Sequence, residues 1–331
     1  MKVLYLLWNY PQISETYIDA EIAFAIRHGV EVHVWSPNCR HPILKPACPV
    51  HRGKISEALS DAKPDIVHCH YLPVADAYHR SIPKRIPITV RGHSFDWDPE
   101  SLKKVAAIDA VRRIYLFPHF ADQVRGVSKV RVLPVAFSPR PRHDIKKDRR
   151  LVLRLAAGLP TKGLSDFFEV AERLADDFKF VLGVSKAGGH EDLPEKLLER
   201  SKKMGGLVDV RVDVLPDEAW DLYRCASIYL DTSDPKGHPF GMPISIVEAW
   251  SQGMLVLARS DPNAIRFVGG DSYCYKNPAE AAGLIAETLS WTEPRWAAEA
   301  TSARHRAQPF VDEAVLPPLL EDWKILMEGL P

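Results

Sequence analysis

Residues 238–253, HPFGMPISIVEAWSQG, decide the fold predicted for this chain. A loop broken by proline and glycine leads into an apolar segment of helical period that carries one carboxylate, Glu248, and ends at Gly253. The first N–H groups of such a helix have no internal partners and, with the helix dipole, suit a phosphate group. Glu248 lies nearly two turns further along, where a carboxylate can accept hydrogen bonds from ribose hydroxyls. The following run MLVLA is typical of a buried strand, so the segment predicts one unit of a nucleotide site in an open α/β sheet.

Strand-like and helix-like segments alternate on both sides of this stretch. One series begins at KVLYLLW (residues 2–8), with a helix from Glu15 capped by Ser14, and a second begins at LVLRLAAG (residues 151–158). This alternation predicts α/β architecture with parallel, doubly wound sheets. The charged, proline-containing tract at 138–150 interrupts the rhythm. We therefore predict a first domain over 1–145, a second over 146–310 and a C-terminal helical segment over 311–331.

The composition of the chain limits the classes of protein to which it can belong. The chain has 331 residues, 46% of them apolar, and no apolar run approaches the length of a membrane span. Its five cysteines are scattered without a CxxC pair, which favours reduced cytosolic thiols over a disulfide framework or a zinc site. The net charge is zero, yet residues 1–150 hold 24 basic and 15 acidic residues. That excess indicates either a solvated surface or a face for an anionic acceptor or membrane, with Lys103, Lys104, Arg112 and Arg113 as the candidate cluster.

The string GMPISIVEAWSQG closely resembles the donor-binding signature of retaining GT-B glycosyltransferases of family 4, the group 1 type. The resemblance implies the GT-B fold, with two Rossmann-like domains facing a central cleft and a late helix crossing back to the first domain. It implies transfer of a sugar from a nucleotide-diphosphate sugar to an acceptor, with retention of configuration and without a metal or other cofactor. The acceptor, a saccharide, glycolipid or other anionic molecule, would lie on the first domain and the donor on the second. Polysaccharide or glycoconjugate biosynthesis in the cytoplasm or at the inner face of the membrane is the expected setting.

Four residues match the family's principal site positions. Lys162 and Gly163 match its Lys-Gly at a helix start, where a lysine can stabilise the charge that builds on a diphosphate leaving group. Glu248 matches the ribose-binding carboxylate. His93, directly after the strand-like run PITV, matches a histidine near the donor sugar, whereas a lone histidine is by default a structural residue.

Two departures from the family pattern concern the donor. Phe240 stands where the signature has its first glutamate, and a phenyl ring cannot accept hydrogen bonds from sugar hydroxyls. Ala156 and Ala157 stand where the family has an arginine, and Arg154 is the nearest arginine, on the strand. The further candidates for donor contacts are Ser14, Glu15, Arg154, Val214, Leu215, Phe240, Gly241, Met242, Ile244 and Ser245. The resemblance implies that the backbone near Val214 and Leu215 faces the nucleobase.

His68 and His70, in DIVHCH, point to the same face of a strand because side chains alternate. Two histidines at this spacing can bind a metal, but the sequence indicates no carboxylate or other third ligand beside them. We therefore predict no metal site, with His70 as a possible residue of the cleft and His68 as a structural one.

Two other functions stay open at this point. Phe240, Ala156 and Ala157 also suit a catalytically inactive GT-B protein that acts as a binding or scaffold subunit, and a sugar-nucleotide epimerase has the same fold. Turnover of sugar nucleotides to free nucleoside diphosphate separates the three. A nucleic-acid partner is not expected.

Overall fold

The computed structural model describes residues 1–93, 96–140, 145–235 and 241–329. Their contacts divide the chain into two compact units. Unit 1 comprises Met1–Ser138 and Phe310–Pro331, and unit 2 comprises Pro139–Pro309. The C-terminal segment therefore groups with the N-terminal part of the chain.

The strands of the described residues are short and nearly all belong to buried, apolar runs. They are β1 (Lys2–Leu6), β2 (Glu31–Trp35), β3 (Val50–His51), β4 (Ile66–His70), β5 (Ile88–Arg91), β6 (Val111–Leu116), β7 (Val130–Val132), β8 (Asp148–Ala157), β9 (Lys179–Ser185), β10 (Val208–Val212), β11 (Ala226–Asp231), β12 (Leu255–Arg259) and β13 (Cys274–Tyr275).

The α-helices alternate with these strands, as the sequence predicts. They are α1 (Thr16–Arg27), α2 (Ile55–Ala62), α3 (Leu72–Tyr78), α4 (Pro99–Ala106), α5 (Leu164–Arg173), α6 (Leu193–Lys203), α7 (Pro216–Cys225), α8 (Ile244–Ser251), α9 (Pro262–Val268), α10 (Pro278–Glu287), α11 (Glu293–Ala307), α12 (Asp312–Val315) and α13 (Pro317–Glu328).

Unit 1 is built on a seven-stranded parallel sheet of order β3-β2-β1-β4-β5-β6-β7. Strand β4, IVHCH, is buried along its whole length, as expected for a parallel strand covered on both faces. After β1 the next strands, β2 and β3, are added on one side of it. From β4 onward the strands are added on the other side, ending at β7. The switch point of the sheet therefore lies between β1 and β4, where open α/β sheets bind ligands at the carboxyl ends of the strands.

The C-terminal helix α13 is part of the core of unit 1. Leu319 and Trp323 are fully buried there, and the Trp323 indole donates a hydrogen bond of 3.2 Å to the Thr89 hydroxyl on β5. The Tyr115 hydroxyl donates to Asp322 at 3.0 Å. These contacts fix the helix by both apolar burial and polar pairing.

Unit 2 is built on a six-stranded parallel sheet of order β10-β9-β8-β11-β12-β13. Its switch point lies between β8 and β11. Both sheets thus have the doubly wound arrangement, and the predicted α/β fold class is confirmed.

One local prediction is wrong. Helix α1 begins at Thr16, its N-cap residue is Glu15, and no side chain caps it. The Ser14 hydroxyl instead accepts a hydrogen bond from the Gln12 amide at 3.1 Å. A side-chain cap does form on α4, where Asp98 accepts from the N–H groups of Glu100 and Ser101 ahead of Pro99 at the first helical turn.

No helix among the described residues is both long and apolar enough to span a membrane.

Candidate functional site

In unit 2, hydrogen bonds connect the loops that follow β8 and β11 at the switch point of the sheet. The Thr232 hydroxyl donates to the Lys162 carbonyl at 2.8 Å, and the Asp234 N–H donates to the Thr161 carbonyl at 2.9 Å. Gly163 has a φ of +56°, and a Cβ at that position would lie 2.1 Å from the Thr232 carbonyl oxygen. Only glycine permits this approach. The predicted Lys162–Gly163 pair therefore lies at the edge where this fold class binds ligands.

Beneath this edge lies a buried ion pair. The Arg154 guanidinium binds the Asp231 carboxylate, and both residues are 1% exposed. Arg154 also donates to the Tyr229 and Ser233 hydroxyls, each at 3.0 Å. Burial alone would lower the pKa of Arg154, but Asp231 and Tyr229 outweigh it and raise the pKa. Arg154 thus ties β8 to β11 through its Nη1 and Nη2 atoms.

Lys162 lies above this pair in a partly enclosed position. Burial, and then the nearby positive charge of Arg154, lower the pKa of its ammonium group. Among the described residues no carboxylate forms an ion pair with Lys162. An anionic ligand is the partner that would favour its charged form.

Glu248 is on α8 and only 7% exposed. The Tyr223 hydroxyl, on α7, donates to its Oε2 atom at 3.1 Å, which fixes the orientation of the carboxylate. At the start of the same helix, the Ser245 hydroxyl is hydrogen-bonded to Tyr229. Gly241, Met242 and Ile244 are partly buried, while Phe240 lies outside the described residues.

The two candidates for base contacts follow β10. Val214 is 6% exposed and lies next to Gly183, where a Cβ would approach it to 3.0 Å. Leu215 is the N-cap residue of α7. Both thus lie at the carboxyl ends of the strands, the same edge of the sheet as the Lys162 loop.

In unit 1, His93 follows β5 and is 3% exposed. Its backbone N–H donates to Asp96 Oδ1 at 2.5 Å. Its ring packs against Tyr71, with centroids 4.6 Å apart, and against Tyr17 at 5.2 Å. Burial, followed by the charges of His70 and Arg91, holds the pKa of His93 well below its ordinary value, so the ring is neutral.

Glu15 lies beside the same aromatic group. The Tyr71 hydroxyl donates to Glu15 Oε1 at 2.5 Å, and the Tyr71 and Tyr17 hydroxyls are 3.3 Å apart. Burial raises the pKa of Glu15 to about 7. Glu15 therefore joins the surroundings of His93, whereas the Ser14 hydroxyl makes a local contact with Gln12.

The interpretation of His68 and His70 rested on a wrong premise, because a carboxylate does face them. Glu21 Oε1, on α1, lies 3.0 Å from His68 Nε2 and 3.2 Å from His70 Nε2, and all three residues are buried. Such a group could hold a metal ion. The available signal was a glutamate on the apolar face of α1, three residues after Ile18 and four before Ala25.

The four basic residues of the candidate cluster have different surroundings. Lys104 pairs with Asp76 at 2.6 Å, and Arg113 pairs with the buried Asp322 at 3.2 Å. Lys103 and Arg112 are exposed. Two of the four charges are thus paired with carboxylates of unit 1.

Comparison with known proteins establishes the fold class. No protein-family model matches the chain, and no curated protein matches it by sequence. Among solved structures, HepE from Anabaena in complex with UDP-glucose is similar with a TM-score of 0.74 at 17% identity, over 98% of this chain and 100% of that chain. Sucrose-phosphate synthase from Thermosynechococcus elongatus gives 0.72 at 15% identity, over 99% and 100%. A glycosyltransferase from Rickettsia africae ESF-5 gives 0.71 at 13% identity, over 99% of each chain. The chain therefore has the GT-B fold of these glycosyltransferases.

Proposed function

We propose that the protein is a glycosyltransferase that uses a nucleotide-diphosphate sugar as donor. The observation that carries the proposal is the arrangement at the switch point of unit 2. There the Lys162–Gly163 loop is fastened to the end of β11, and α7 orients Glu248 on α8. The similar fold of HepE, which was solved with UDP and with UDP-glucose, supports the same class of ligand.

Each site residue has a distinct task in this proposal. Lys162 binds the diphosphate and stabilises the negative charge that accumulates as the glycosidic bond breaks. Glu248 accepts hydrogen bonds from the ribose hydroxyls, and the N–H groups at the start of α8 assist at the phosphates. The base lies by Val214 and Leu215, and His93 contacts the sugar. Arg154, buried under the site, holds β8 and β11 in register.

The stereochemistry, the metal independence and the class of acceptor are proposed from the resemblance of GMPISIVEAWSQG to the donor-binding signature. We propose that transfer retains the configuration and needs no metal, with the leaving phosphate assisting attack from the same face of the sugar. The acceptor is a saccharide, glycolipid or other anionic molecule in polysaccharide or glycoconjugate biosynthesis in the cytoplasm.

A second candidate is a binding subunit of the same fold that has lost catalysis. It is favoured by the buried state of Arg154, whose Nη1 and Nη2 atoms donate to Asp231, Tyr229 and Ser233. Arg154 therefore does not replace the arginine that the signature's relatives have in place of Ala156 or Ala157. Such a subunit would bind the nucleotide sugar without releasing nucleoside diphosphate.

Calorimetric titration with UDP and other nucleoside diphosphates tests the nucleotide site that both candidates require. We expect Lys162→Ala to weaken binding by about 1.5–3 kcal/mol, the scale of a hydrogen bond to a charged group, and Glu248→Ala to weaken it as well. Lys179→Ala is the matched control, because Lys179 is exposed at the opposite end of the strands. Equal affinities in all three variants and the parent protein would remove this site.

A further inference from the structure

Three buried side chains of unit 1 form a continuous polar chain that ends at His93. Glu21 Oε1 contacts His70 Nε2 at 3.2 Å, and His70 Nδ1 contacts His93 Nε2 at 3.2 Å. Glu21, His70 and His93 are 2%, 0% and 3% exposed. We refer to them as the Glu21–His70–His93 chain.

The chemistry of the three groups fixes where the protons lie. Burial alone would raise the pKa of Glu21, but the facing His70 and His68 imidazoles hold it well below its ordinary value, so the carboxylate only accepts. His70 must then donate from Nε2. Burial lowers the pKa of His70 to about 4, so the ring is neutral and its Nδ1 accepts. His93 therefore donates to His70 from Nε2.

The same carboxylate and the two imidazoles of His68 and His70 would also fit a divalent ion, but the local charge disfavours one. The Arg91 guanidinium lies 3.8 Å from Glu21 Oε2 and is itself buried, so the negative charge of Glu21 is already balanced. A divalent ion would add two positive charges in a buried place, which is unfavourable because buried charge loses its hydration. A hydrogen-bonded chain leaves the cluster neutral.

We propose that Glu21 and His70 are positioning residues that keep the proton of His93 on Nε2, so that His93 acts on the donor sugar through an unprotonated Nδ1. The role at the sugar rests on the proposed function, whereas the position of the proton does not. The consequence is that His93 accepts a hydrogen bond from a sugar hydroxyl and does not deliver a proton to the leaving group.

Two substitutions at His70 distinguish its role as hydrogen-bond acceptor for His93 from a role in filling space. The amide oxygen of His70→Asn can lie where Nδ1 was and still accept from His93, whereas His70→Gln keeps a donor for Glu21 and loses that acceptor. A packing role predicts the opposite order of tolerance, because glutamine is closer to histidine in volume. The chain supplies a matched control in Glu31, His33 and His51, which are linked in the same manner at 3.1 and 3.0 Å at the surface of unit 1.

The first measurement is the nitrogen NMR spectrum of the ring of His93 in the full-length protein, assigned from the signals lost in His93→Gln. We expect the Nε2–H tautomer in the parent protein and in His70→Asn, and its loss in His70→Gln. The second is donor turnover, for which we expect kcat to fall about tenfold in His70→Gln, the equivalent of one hydrogen bond, with KM changed far less. His33→Asn and His33→Gln should change neither measurement.

Three results would overturn the proposal: a proton on Nδ1 of His93, a tautomer that survives His70→Gln, or turnover equal in His70→Gln and the parent protein. Metal analysis adds a fourth, since a bound ion lost in His70→Gln would mean that Nε2 of His70 carries no proton. A parent protein without turnover on any donor would refute the proposed function, and the NMR result would still decide the proton position.

Discussion

Lys162 and Arg154 are two cations at the same end of one sheet, yet the structure gives them different tasks. Arg154 is buried against Asp231 and has no exposed surface to offer a ligand, while Lys162 lies in the loop that closes the switch point. A cation already neutralised by a buried carboxylate gains little from a phosphate. The arginine nearest to Ala156 and Ala157 therefore makes its charged contact within the protein.

The residue-scale prediction concerns His93. We expect His93→Ala to slow transfer while leaving the affinity for free nucleoside diphosphate nearly unchanged, because the proposed contact is with the sugar. Parallel turnover and calorimetric measurements on a variant with an unchanged circular dichroism spectrum check this. Full turnover in a folded His93→Ala protein would remove the residue from the site.

The residues at the site differ in how readily the sequence predicts them. Lys162, Gly163 and Glu248 follow from local motifs, because a glycine-opened turn and a helix start define their surroundings within a few residues. Glu21 does not follow, because its partners lie about 50 positions away on β4 and meet it only in the folded sheet. The pairing of Arg154 with Asp231 could not be predicted either, because the two residues are on different strands that become neighbours only in the folded sheet.

At the scale of elements, the alternation of strands and helices was sufficient to predict both parallel sheets, but not their ends. Helix α8 forms within residues 238–253, as predicted, but ends at Ser251, two residues before Gly253. The start of α1 differs from the prediction because the Ser14 hydroxyl is hydrogen-bonded to the Gln12 side chain and does not cap the helix.

The element-scale prediction concerns the fastening of the two loops at the switch point. Gly163→Ala places a Cβ against the Thr232 carbonyl at a positive φ, so we expect the loops to separate, with unfolding free energy lowered by about 1–3 kcal/mol and weaker nucleotide binding. Gly189→Ala is the control, since Gly189 has a φ of +79° but no heavy atom within 4 Å of the added carbon. Urea unfolding with calorimetry checks both variants, and equal losses would contradict the proposed fastening.

At the scale of the whole molecule, the asymmetry of charge has a testable consequence. If the basic first half of the chain meets an anionic membrane, binding should weaken with salt, because the Debye length is about 8 Å at physiological ionic strength. Each basic residue near such a surface contributes about 1 kcal/mol, so exposed Lys103 and Arg112 should matter most.

Sedimentation with anionic and neutral liposomes across salt concentrations measures this. We expect Lys103→Glu with Arg112→Glu to reduce binding to anionic vesicles, and the control pair Lys202→Glu with Lys203→Glu, at exposed positions of α6 in unit 2, to have less effect. Equal and negligible binding to both kinds of vesicle would argue for an acceptor in solution.

Release of nucleoside diphosphate from a panel of sugar nucleotides, with and without saccharide and lipid acceptors, decides whether the protein is a transferase. We expect release from at least one donor by the parent protein, a large loss in Lys162→Ala, and little change in Lys179→Ala. Binding of nucleotide sugars without release from any donor would contradict the transferase and favour the binding subunit.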